Sequence, residues 1–206
     1  MTQIGLPLNW PVDDLKDAFT VSASNRRVAH FLDGWGRWPV AAALLTGPRK
    51  SGRTLLGRIF AAKSGGMLAD NAEQQGEDHL FHLWNDAQDQ RKPLLIIADY
   101  PPPQWRIALP DLASRLKATP CVTLTDPDEE LVVALFGKLL KQRGLGVTAD
   151  VLRFLAARIE RTHVNVIRLV ETLDDMALSQ NRSITIPLAR DALKSIGAMS
   201  YENQPS

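Results

Sequence analysis

The sequence predicts an α/β protein: a parallel sheet flanked by helices and built around a phosphate-binding loop, followed by a small C-terminal all-helical domain. Three observations carry this expectation. Short, continuously apolar runs at Pro39–Leu45, Pro93–Ala98 and Cys121–Leu124 alternate with helical stretches, as parallel strands buried on both faces do. The first run leads into GPRKSGRT, residues 47–54, which has the spacing G-x-x-x-x-G-K-[ST] with Arg53 in the place of lysine. Beyond Thr125-Asp126-Pro127 the apolar runs stop and only helical periodicity remains.

Bulk composition narrows the function classes. A chain of 206 residues, 45% hydrophobic, can bury one nucleotide-sized core with a small appendage. Its 24 basic residues nearly balance 23 acidic ones, leaving a formal charge of +1. No net field steers it onto nucleic acid, and direct sequence-specific DNA binding is not expected. The single cysteine, Cys121, cannot form an intrachain disulfide or thiolate cluster, which fits a reducing compartment. With no apolar run as long as a membrane span and no signal-peptide layout, a cytoplasmic location without membrane attachment is expected.

The elements follow in order. Residues 1–14, with Pro7 and Pro11 and little periodicity, read as an extended arm. Residues 15–125 form the α/β domain. A helix is expected over Ser22–Trp35 with Ser24 or Asn25 as N-cap, then the strand Pro39–Leu45 and a helix over Thr54–Lys63. Met67–Ala69 is a short strand running into Asp70, Asp78–Gln90 a helix, Pro93–Ala98 a buried strand stopped by Pro101, Pro102 and Pro103, Leu109–Leu116 a short helix and Cys121–Leu124 a last strand. Residues 126–206 form the helical domain, with helices over Asp128–Arg143, Thr148–Glu160, Asn165–Asn181 and Pro187–Ile196 and with Asp126 and Thr148 as N-caps.

Glycine-loop backbone N–H groups and the positive end of the following helix cradle phosphate oxygens whatever side chain stands at position 53. Gly47, Pro48, Lys50, Ser51, Gly52, Arg53 and Thr54 are therefore candidate nucleotide-binding residues for ADP or ATP. Arg53 keeps the charge of lysine but offers a planar fork instead of a compact ammonium, which favours holding a nucleotide over turning it over. Thr54 supplies a hydroxyl for Mg²⁺ and Asp70, at a strand end, a carboxylate for the same ion; an Asp there is also a common helix cap. Asn71, beside it, has no proton-accepting charge with which to activate water.

Two further stretches, DYPPPQW at 99–105 and LPDLASRL at 109–116, resemble the sensor strand and the arginine-bearing segment of the DnaA-related AAA+ family, most closely the Hda proteins that inactivate the initiator DnaA. The segment Phe19–Asn25 and the helices from Pro127 to Ile196 resemble that family's adenine-side segment and helical lid. The resemblance implies an AAA+ fold, Asp99 as the sensor of the terminal phosphate, and Arg115 as an arginine finger acting on the ATP of a neighbouring DnaA subunit. Arg168 would contact phosphate from the lid, with Arg161 as competitor, although Ile167 stands where arginine is usual. The chain reaches Gly65-Gly66-Met67 without the strand and helix the family inserts there, so either the sheet lacks an edge strand or Asp70 is misplaced.

The arm residues Gln3, Leu6, Pro7 and Leu8 resemble the peptide by which this family attaches to the DNA polymerase III sliding clamp, its beta subunit. An amide at a pocket mouth with two leucines inside, each worth about 1.5–3 kcal/mol when buried, fits such an anchor. The expected partners are thus the clamp and DnaA, with self-association left open. A self-contained ATPase or helicase-loading motor is the alternative, disfavoured by Arg53 and Asn71. A DNA-binding initiator would need a further helix-turn-helix domain, for which the chain after the lid leaves no room. His79 and His82, three apart on a helix, are expected on a solvated or packed face and not as metal ligands; Trp35 and Trp38 are expected to serve packing or a protein interface and not base stacking.

Overall fold

The computed structural model describes residues 19–180 and 182–197, so Gln3, Leu6, Pro7 and Leu8 lie outside the described residues. In chain order the elements are α1 (Arg26–Asp33), β1 (Ala42–Thr46), α2 (Arg53–Ser64), β2 (Met67–Ala69), α3 (Glu77–Gln90), β3 (Leu94–Ile97), α4 (Pro110–Ala118), β4 (Cys121–Thr123), α5 (Glu129–Gln142), α6 (Ala149–Ala156), α7 (His163–Gln180) and α8 (Ile186–Ile196). They fall into two compact units. The first holds Phe19, His30–Thr46 and Gly52–Val122; the second holds Thr20–Ala29, Gly47–Ser51 and the residues from Thr123 onward.

The first unit is the parallel sheet with its helices. Four described strands run in the order β2-β3-β1-β4, with Leu45 opposite Ile97 and Ala69 opposite Ile96. Every residue of β1 and β3 is buried, because in a parallel sheet covered on both faces each side chain meets a helix layer. α2 lies so close to the sheet that a Cβ on Gly57 would stand 2.7 Å from Ile97 Cδ1 and 2.8 Å from Leu68 Cδ1. Trp38 stacks between Phe31 and Phe60, with centroids 5.4 Å apart on each side, and Trp35 meets Phe60 edge-on, so both tryptophans pack, as expected.

Several expected boundaries shift. α1 begins only at Arg26, because Asn25 turns its side chain backwards, accepting from the Ser22 N–H and donating to the Thr20 carbonyl. Its far end gives way to a 3₁₀ turn at Trp35–Arg37. β1 starts at Ala42 and extends to Thr46. β4 is not buried on both faces: Cys121 and Thr123 are exposed and only Val122 is buried, as befits a strand at the sheet edge. β2 is the other edge, and Asp70 follows it directly. Of the two alternatives left by the short connection after α2, the described sheet therefore agrees with the missing edge strand.

The second unit is helical. Phe136, Leu140, Leu155, Val166, Leu169, Val170, Leu173 and Leu193 form its core. α5 is capped by Asp128, whose Oδ1 accepts from the Leu131 N–H at 2.8 Å; Asp126, the expected cap, lies two residues too early. α7 starts at His163, earlier than expected, and α6 ends at Ala156, where Ala157 leaves the regular pattern. Among the described residues no helix is long and apolar enough to cross a membrane.

Candidate functional site

The glycine-rich loop takes positive φ three times, at two glycines and at one lysine. Gly47, Lys50 and Gly52 have φ of 141°, 64° and 91°, values that L side chains adopt rarely. A Cβ on Gly47 would stand 2.7 Å from the Leu124 carbonyl oxygen, and one on Gly52 would meet the Phe19 ring at 3.3 Å. α2 then begins at Arg53 with no side chain capping its first N–H groups. Ser51 Oγ is buried without a hydrogen-bond partner. An uncapped helix start and an orphaned hydroxyl are what a phosphate group would satisfy, so this part of the loop fits a nucleotide.

Arg53 does something else. Its side chain is 9% exposed; Nη2 lies 2.6 Å from Asp99 Oδ1, and Nη1 donates to the Ala98 carbonyl. The pairing follows from topology: β1 and β3 run parallel and end level with each other, so the start of α2 faces the residues just beyond β3. The structure thus brings together two sequence-predicted site residues, as partners of each other. Glu73, in the 3₁₀ turn Ala72–Gln74, accepts the Asp99 N–H. Sequence inspection missed Glu73; an acid two residues after Asn71 was the available signal.

Thr54 is exposed and Asp70 half-buried, its Oδ1 accepting from the Asn71 N–H at 3.0 Å. No group of three or more His, Cys, Asp or Glu residues able to hold a metal occurs among the described residues, and His79 and His82 are exposed. Pro48 and Lys50 are exposed. Arg168 is exposed on α7, whereas Arg161 pairs with Glu129 at 3.0 Å.

Arg115 sits on α4, half-buried, with its guanidinium 4.7 Å from the ring centres of both Phe81 and Trp84 and donating to Asn85. These three residues share one face of α3 by i, i+3, i+4 spacing. Glu77, one turn earlier on that face, accepts the Ala108 N–H at 2.9 Å and the Leu109 N–H at 2.6 Å, fixing the start of α4. At the other end the Trp84 indole donates to Thr119 Oγ1, and that hydroxyl donates to the Arg115 carbonyl at 2.8 Å. α3 therefore holds both α4 and the side chain it presents. Sequence inspection singled out Arg115 but not this cradle.

In the second unit Asp128 also receives the Ser24 N–H at 2.9 Å. Burial alone would raise its pKa, but the N–H groups of Leu131 and Ser24 and the hydroxyls of Ser22 and Ser24 outweigh that and hold the carboxyl below its ordinary value. Burial lowers the pKa of His163 against the opposing charge of Asp126, and its Nδ1 has no hydrogen-bond partner.

The fold is shared with solved AAA+ structures. Domain III of the replication initiation protein DnaA from Thermotoga maritima superposes with a TM-score of 0.70 at 18% identity, over 87% of this chain and 95% of that one. AMPPCP-bound DnaA from Aquifex aeolicus gives 0.62 at 13% identity, over 89% and 69%. A single-residue variant of RuvB from Thermotoga maritima gives 0.62 at 13% identity, over 88% and 71%. The class is thus an AAA+ sheet with a helical lid. Residues 128–193 match the family model described as Hda, lid domain. The helical part of the chain is thus similar to the Hda lid, and the chain as a whole shares the fold of DnaA domain III.

Proposed function

We propose that the chain is an Hda-like regulator of replication initiation. Through Gln3, Leu6, Pro7 and Leu8 it binds the DNA polymerase III sliding clamp, and through Arg115 it stimulates hydrolysis of the ATP held by DnaA, inactivating the initiator. The observation that supports this best is the match of residues 128–193 to the Hda lid within a DnaA-like fold. A guanidinium placed against transition-state charge contributes about 10³–10⁵ in rate for phosphoryl transfer. Half-buried over two rings, Arg115 rests on the surface of its own unit, and reaching another protein's phosphate requires it to leave Asn85 and the rings.

Gly47, Pro48, Lys50, Ser51, Gly52 and Thr54 would hold ADP or ATP, with Thr54 and Asp70 on Mg²⁺; Arg168 would contact phosphate from the lid, and Asp99 would sense the terminal phosphate only on release from Arg53. The bound nucleotide supplies a polyphosphate to order the loop. Because the Arg53–Asp99 pair occupies both side chains, the loop serves holding better than turnover, which supports a regulator over a motor. The reading is tested by adding the chain and DNA-loaded clamp to ATP-loaded DnaA and following ADP. Accelerated hydrolysis that disappears with Leu6→Ala/Leu8→Ala is expected; unchanged hydrolysis with the wild-type chain contradicts it.

A further inference from the structure

A cavity of about 550 Å³ opens in the first unit between the loop after β3 and one side of α4. Such a volume suits a ligand or an inserted side chain, since binding pockets run from about 300 to 1,000 Å³. Pro103, Trp105, Ile107 and Ala113 supply apolar walls. Trp105 is only 8% exposed and its backbone N–H donates to the Pro101 carbonyl, so the wall is fixed before anything binds. Preformed, proline-stiffened walls lower the ordering cost of association.

Pro102 adds to these walls, and the other two lining residues are cations. Arg106 and Lys117 both line the cavity, both are exposed, and neither belongs to an ion pair among the described residues. From Tyr100 to Ala118 three basic residues, Arg106, Arg115 and Lys117, face one acidic residue, Asp111. Ala113 and Lys117 flank Arg115 by two residues on each side, about 200° around the helix, so the cavity opens away from the Arg115 contact with α3. Tyr100, 61% exposed, precedes the three prolines in the chain. An apolar cavity with two exposed cations in its lining fits an inserted side chain flanked by carboxylates better than a compact apolar metabolite.

We propose that this cavity docks a segment of a partner protein, one that inserts a single bulky apolar side chain and sets acidic residues on either side of it over Arg106 and Lys117. The apolar insert supplies contact, and the carboxylates supply orientation and salt-dependent capture. The probe is the acetylated peptide Asp-Glu-Leu-Phe-Asp-Glu, titrated while the Trp105 indole N–H resonance is followed by nuclear magnetic resonance, with Trp105→Phe assigning the signal. A saturable shift with a Kd of about 10⁻⁴ M is expected. It should weaken at least about tenfold in Arg106→Glu/Lys117→Glu and be absent with Lys-Lys-Leu-Phe-Lys-Lys. Lys117→Glu alone, on an exposed helix position, gives the same reading should the double variant misfold. No saturable shift, equal binding to the charge-reversed chain, or tighter binding of 2-naphthoate than of the peptide overturns the proposal.

Discussion

Exchanging lysine for arginine at position 53 changes what the glycine-rich loop can reach. The longer fork spans from the start of α2 to Asp99 and the Ala98 carbonyl, so its charge is neutralised within the protein. Removing it by Arg53→Ala takes a guanidinium partner from a carboxylate that is 26% exposed, and we expect a loss of about 2 kcal/mol, less than the 3–5 typical of a fully buried pair because water still reaches Asp99. Urea unfolding checks this, and a loss below about 0.5 kcal/mol would contradict it. The substitution itself was legible in the sequence; its consequence was not, since a motif gives spacing along the chain and Asp99 lies far along it, just beyond β3. Arg115 was likewise found by its flanking residues, while its resting place over Phe81 and Trp84 depends on how α3 and α4 pack.

Elements carry the next set of expectations. Asp128 caps α5 and ties down the Ser24 N–H, and Asp128→Ala should cost about 1–2 kcal/mol, the usual worth of a cap and one further charged hydrogen bond. Because the folded pKa lies below 3.8, this contribution is present above that value and disappears as the pH falls through the lower folded one. Denaturant titrations at pH 7 and pH 3 read it, and Asp128→Ala should narrow the difference between them. A cap at Asp126 was the wrong choice between two acids two residues apart, which propensity alone does not separate. His163 works in the other pH range. Its folded pKa is lowered from 6.5 by burial, so the neutral form favours the fold, and stability is lost as the pH drops below 6.5 towards the folded value. Thermal melts at pH 7.5 and 5.5 should show this loss in the wild type and a smaller one in His163→Met; equal pH dependence in the two would contradict it.

At the scale of the whole molecule, the α/β class and the helical tail were readable because fully apolar strands and 3.6-residue periodicity are strong signals, and β1, β3, α2 and α3 stand within a few residues of their expected places. The split into units was less legible. Thr20–Ala29 and Gly47–Ser51 group with the C-terminal helices, a partition that composition along the chain does not carry. The polar half of β4 was hidden for a related reason, since edge position is set by strand order and not by the strand's own residues. The proposed function turns on one side chain, Arg115, which α4 lays over Phe81 and Trp84. Single-turnover release of phosphate from ATP-loaded DnaA, with DNA-loaded clamp and either wild type or Arg115→Ala, measures its role directly. We expect the variant to keep clamp binding and to lose stimulation by about 10²-fold or more; stimulation equal to wild type would contradict a guanidinium acting on the partner's nucleotide.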